Sequence, residues 1–231
     1  MISNFKKISL LSLCFIFIFA GSVFAEKEMK FSDLKSHKDI KVLKETNSNI
    51  VMIPSEEVTD KSEYIKMINQ YIPIIKGKLH TGKQSSDSDV SALLSANIND
   101  YDSMTYNGST MYAQFDSTIN YNICCTTEVS GDSRGAWLGS NPFNADKVTL
   151  ADSISFTGVT VSVSVPASAG FSVSGSTASW TDSVNNTWQM NHYYNNISAT
   201  GFDIYVSQST SATFKFGSSF YTPTASDGTW L

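Results

Sequence analysis

The side chains able to do acid–base or nucleophilic work are few and scattered. Thr127-Glu128-Val129-Ser130-Gly131-Asp132-Ser133-Arg134 brings together a glutamate, an aspartate and the chain's only arginine. A carboxyl pair is what glycoside hydrolysis needs, one as acid and one as nucleophile or base. The same run also reads as a solvated loop with a local ion pair, because Ser130–Gly135 is rich in turn residues. His192 stands in Trp188-Gln189-Met190-Asn191-His192-Tyr193-Tyr194. Strand alternation puts it on a face with Trp188, Met190 and Tyr194, the setting of a packed histidine rather than a catalytic base. No Gly-x-Ser-x-Gly elbow occurs, so a Ser/His/Asp triad has only composition behind it. Glu128 and His192 leave a hydrolase as the third-ranked function.

Metal and redox chemistry find little more. His37, His80 and His192 are isolated, without the Cys/His spacing of a zinc site. Asn97, Asn99, Asp100 and Asp102 form an oxygen-rich patch, but the glycine and terminal glutamate of a calcium loop are missing, so it reads as a domain-entry loop. No metal and no cofactor is expected. Cys124 and Cys125 are adjacent and form no disulfide framework. They are the candidate redox pair: two thiols on opposite strand faces, a strained vicinal disulfide, or bonds to another chain.

Aromatic residues in amide- and hydroxyl-rich surroundings are the better recognition signal. Trp188, Tyr193, Tyr194 and Tyr112 are the candidate binding residues, suited to a glycan face or a cell-surface protein, although any β core also needs aromatics.

The elements that must position these groups change type along the chain. Asn49–Ile53 reads as a strand ending at Pro54. Thr59-Asp60-Lys61-Ser62-Glu63 reads as a helix start, followed by Tyr64, Ile65, Met67, Ile68, Tyr71 and Ile72 on one face, with Pro73 as the stop or kink. A polar, Ser-rich stretch begins at His80, and Val90 to Ala96 is expected to add a helical turn. From Ser103 the pattern is period two. Asn107-Gly108 marks a tight hairpin. Val159, Val161, Val163 and Val165 alternate with hydroxyl residues, which predicts a strand with one face in the core. Nine or ten such strands argue for a β-sandwich, with a barrel as the alternative.

The start of the chain reads as an export signal. Lys6 and Lys7 precede an apolar run from Ile8 to Ala20, and Val23-Phe24-Ala25 suits cleavage after Ala25. That run is shorter than the ~20 residues of a spanning helix. The net charge is −5, and losing both lysines makes it −7, which disfavours nucleic acid as a partner. Residues 26–85 hold eleven lysines, whereas residues 86–231 hold three basic against twelve acidic side chains. Lysine far outnumbers arginine, as in proteins of AT-rich bacterial genomes. No Leu-Pro-x-Thr-Gly sorting motif is present.

The expected organisation is a signal peptide at 1–25, a Lys-rich α/β module or propeptide at 26–79, a linker at 80–102 and an antiparallel β-sandwich at 103–231. The expected function is a secreted, non-enzymatic binding or interaction protein. A membrane-active toxin is second, suggested by the Val/Ser alternation, and a membrane partner is expected only in that case.

Overall fold

The computed structural model describes residues 29–80, 94–122 and 125–231. The signal peptide, most of the expected linker and Cys124 lie outside these. The described residues are mainly antiparallel β, with two α-helices ahead of the long strands and a short 3-10 turn at Ala167–Ala169. In chain order the elements are α1 (Phe31–Lys35), β1 (Ile40–Glu45), β2 (Asn49–Pro54), α2 (Lys61–His80), β3 (Leu94–Tyr106), β4 (Ser109–Tyr121), β5 (Thr126–Trp137), β6 (Ala145–Ser164), β7 (Ser172–Ser174), β8 (Thr177–Thr187), β9 (Gln189–Phe216), β10 (Ser219–Tyr221) and β11 (Thr224–Trp230). Hydrogen bonding joins the strands into one eleven-stranded sheet.

Asp60 caps α2 by accepting from the backbone N–H groups of Ser62 and Glu63 at 2.8 and 3.1 Å. The helix does not stop at Pro73 but runs on to His80. Tyr64, Ile68, Tyr71, Ile75 and Leu79 form one buried stripe, so packing on both sides of Pro73 outweighs its missing N–H.

The Lys-rich segment shares the sheet and core of the β region. β2 pairs with β1 on one side and with β9 on the other, from Asn49 opposite Tyr194 to Met52 opposite Asn191. That double pairing satisfies the backbone of β2 on both edges, and every one of its residues is buried.

β9 joins everything else. Tyr194 Oη donates to Gln208 Oε1 at 2.8 Å, though fourteen residues separate them. A straight strand would hold them roughly 45 Å apart. The strand therefore bends, and Asn196 and Asp203, both at positive φ, flank the bend. Its first half runs between β5 and β2, and its second between β6 and β11.

Several local expectations change. Ser130–Gly135 is not a loop but the middle of β5. Its small residues allow close approach: a Cβ on Gly135 would lie 2.4 Å from the Cβ of Ala212. Strand pairing begins at Leu94 rather than near 103, so the later part of the expected linker is strand, not helical turn or loop. The oxygen-rich patch lies in β3 and serves the edge of β11. Asp100 and Asp102 accept from the N–H groups of Ser226 and Thr224 at 2.6 and 2.8 Å. Among the described residues no cluster of His, Cys, Asp or Glu has metal-binding geometry. The Asn107-Gly108 hairpin forms with both residues at positive φ.

The valine ladder is also displaced from its expected place. The buried part of β6 is its first half, through Val148, Leu150, Ile154 and Phe156. β8 stops pairing at Ser155, so nothing covers Val159, and Val161, Val163 and Val165 are half-buried.

Candidate functional site

The acid–base candidates sit inside the molecule. His192 is fully buried in β9, with Trp180 stacked on its ring at 3.6 Å and 12°. Its Nδ1 lies 2.6 Å from Asp152 Oδ2. Ser133 donates to the same carboxylate oxygen at 2.7 Å, and Thr210 donates to Oδ1 at 2.6 Å. The three residue types of a triad are thus together, but in the wrong order. The serine hydroxyl is spent on the aspartate, and the Nε2 of His192 has no hydrogen-bond partner and no exposure to solvent. Burial pushes His192 below its ordinary value, against the pull of Asp152. The polar chain continues from Thr210 through Gln208 to Ser117 and Tyr194.

The carboxyl pair separates as well. Asp132 is buried and pairs with Lys76 of α2 at 2.8 Å. Glu128 lies four residues along the same strand, roughly 13 Å away by strand rise, beyond the ~5–9.5 Å that glycosidase pairs span. Arg134 is buried and donates through Nε to Asn191 Oδ1 at 2.8 Å and through Nη2 to Asn69 Oδ1 at 2.9 Å.

Lys61 is a further buried cation that sequence reasoning left unmarked. Its Nζ donates to the carbonyls of Trp137, Gly139 and Phe143 at 2.9, 2.6 and 2.5 Å. The rings of Phe143 and Trp188 lie 4.5 and 5.2 Å from it. Burial pushes its ammonium down to about 7. A neutral amine has two N–H groups and could serve only two of the three carbonyls, so the cradle is built for the charged form.

The four candidate binding residues are all core residues. Trp188, Tyr193 and Tyr194 are essentially inaccessible, and Tyr112 is buried too. Tyr112 and Tyr193 stand beside Arg134, and Tyr64 meets Trp188 edge-on at 5.3 Å. Alternation could not separate an inward aromatic from an outward one here, because β9 is covered on both faces at Gln189–Asn195. Burial raises the phenols of Tyr64, Tyr193 and Tyr194 above the ordinary range. A phenol raised in the fold keeps its proton where the unfolded chain loses it, so stability is full below about pH 10 and falls above it. In an alkaline titration followed at 295 nm, the phenolate signal of these residues is expected to appear only together with unfolding. Their smooth titration in a folded protein would contradict this burial.

Exposed large apolar side chains are spread over the surface, and four of them, Leu94, Val159, Phe202 and Trp230, come from strand segments near one end of the sheet. Val159 and Phe202 are cross-strand partners and both are 56 % exposed. Beside them Leu94, Tyr121, Phe202, Ile204 and Leu231 line a pocket of about 330 Å³. Cys125, half-buried, lines the same pocket. Trp230, 67 % exposed, pairs across strands with Tyr205, and their rings lie 5.2 Å apart. Of these only Cys125 was singled out as a site by sequence, as one of the candidate redox pair; the apolar residues were not, because exposure at a strand end depends on where the neighbouring strands stop. No protein family, no curated protein and no solved structure matches this chain.

Proposed function

We propose that this chain is a secreted, non-enzymatic binding protein, built as a sandwich-like β domain in which the facing halves of β9 hold the two layers together. One observation carries the reading. His192, Asp152, Ser133, Asp132 and Arg134, which could do chemistry, are buried in structural bonds, while large apolar side chains that could meet a partner stand exposed. His192, Asp152 and Ser133 are buried and bonded to each other through Asp152, and Arg134 is buried and donates to the amides of Asn191 and Asn69. Phe202, Val159 and Trp230 are free to be covered. Cleavage after Ala25 belongs to the same proposal, and the partner classes are a glycan or a cell-surface component. Purified protein is expected to be retained on cell-wall or host glycans or on intact cells, and the Phe202→Ser protein is expected to be retained less. Absence of retention on every such surface would remove the reading.

The exposed Val159–Phe202 pair favours one second reading, a membrane-active protein. Among the described residues no helix is long and apolar enough to cross a membrane, so this reading rests on strands. Dye release from vesicles, measured before and after proteolysis near residues 80–89, separates membrane damage from simple binding.

A further inference from the structure

We propose that the end of the sheet bearing Leu94, Val159, Phe202 and Trp230 is a lipid-contact surface that rests at the interface of a bilayer. This inference relies on the chain being a binding protein and names the chemistry of its partner.

The four side chains come from four strands and form one patch. Val159 is opposite Phe202 on adjacent strands. Phe202 and Leu94 line the same pocket, together with Leu231, which follows Trp230. Each of the four is at least 41 % exposed, so the apolar surface is open to solvent on this molecule. Monomeric proteins seldom leave large apolar side chains clustered without a use for them.

Charge selects a lipid surface over other partners. What keeps a protein surface out of a bilayer is the cost of stripping water from ions and unbonded backbone. From Ser153 to Thr181, and from Ile197 to Phe202, the chain contains no charged residue. Asp203 is the one acidic side chain among the described residues lining the pocket. The backbone here is also engaged: Gly201 N–H donates to the Cys125 carbonyl at 3.0 Å, and Leu231 N–H to the Ile204 carbonyl at 3.1 Å. Thr160 Oγ1 donates to the carbonyl of its neighbour Val159 at 2.8 Å. A protein partner's rim would be expected to meet charged and hydrogen-bonding side chains around the patch. Trp230 and Tyr205, whose rings are tilted at 52° to each other, add the amphipathic rings that favour the headgroup level of a membrane. Among the described residues lining the pocket none is lysine or arginine, so attraction to the bilayer comes from apolar burial, not from surface charge.

Trp230 makes the test direct. The other three tryptophans, Trp137, Trp180 and Trp188, are buried, so a change of indole environment on binding reports Trp230. The secreted chain is mixed with vesicles of phosphatidylcholine and, separately, of phosphatidylcholine with phosphatidylglycerol, and followed by flotation and tryptophan emission. The expected result is flotation with both, a blue shift, and quenching by lipids brominated along the acyl chain. Raising salt is expected to change partitioning by less than about twofold, since screening does not weaken apolar burial. The Val159→Ser/Phe202→Ser protein is expected to partition about tenfold more weakly or worse, with near-ultraviolet circular dichroism unchanged because both side chains are exposed. No flotation with either vesicle, binding abolished by salt, or equal binding by the double variant would each overturn the proposal. If vesicles fail while glycans or cells still retain the protein, only the lipid inference falls. If nothing retains it, the binding function falls with it.

Discussion

Asp152→Ala is expected to lower the unfolding free energy by about 3–5 kcal/mol, the largest loss from any single polar substitution in this chain. Asp152 is buried in β6 and takes bonds from three donors that all lie in the core: Ser133, Thr210 and His192. Removing its carboxylate leaves two hydroxyls and an imidazole N–H without an acceptor where no water reaches. The effect exceeds that of Ser133→Ala or Thr210→Val, each expected near about 1 kcal/mol, because those changes remove one bond and leave the others in place. Urea denaturation should show a lower midpoint at an unchanged m-value. A loss under about 1 kcal/mol would mean the network is not formed as described.

The same cluster gives the protein an acid limb. His192 has a folded-state value below its unfolded value of about 6.5, held down first by burial. Its contribution is therefore complete above pH ~6.5 and declines as pH falls through that range, because the unfolded chain takes up the proton first. Stability measured between pH 7 and pH 5 should fall in the natural protein. It should fall less in His192→Gln, which can still donate to Asp152 but does not titrate.

Lys61→Met is expected to cost about 2–4 kcal/mol. Methionine keeps the length and removes a charge that is expensive to bury, so the loss measures the three carbonyls left without a donor at Trp137, Gly139 and Phe143. Those carbonyls lie where β5 ends and the segment leading to β6 begins, so the same ammonium fixes the start of α2 against the β region. Arginine is not expected to rescue, because its planar fork cannot converge on three carbonyls as an ammonium does. Lys66→Met, on an exposed position of the same helix, should stay within about 0.5 kcal/mol. Thermal or urea unfolding that ranks these two substitutions equally would contradict the cradle.

Much of the architecture was legible before any coordinates. The Asn107-Gly108 turn, the helix start at Asp60 and the antiparallel, mainly β character follow from local chemistry, and all three are present. The candidate site was not legible. Trp188, Tyr193 and Tyr194 were read as possible contact residues, yet β9 is sandwiched at that point between β5 and β2, and both of its faces are covered. Val159 was read as core, yet it projects beyond the last residue of β8 that could cover it. Ser130–Gly135 was read as a loop because serine and glycine mark turns, whereas here they are the small residues that let layers meet.

By itself the sequence determined that the chain is mainly β, that a hairpin turns at Asn107-Gly108 and which helix face is apolar, because these depend on neighbours within a few residues. Tertiary structure alone decided that β2 joins β9, that Asp152 gathers three donors, that three distant carbonyls meet at Lys61, and that four apolar side chains share one exposed end. The physical reason is range. A pleat or a cap is set by adjacent backbone groups, but burial is set by which strand lies alongside and where it stops, and residues as far apart along the chain as Asn49 and Tyr194 decide that here.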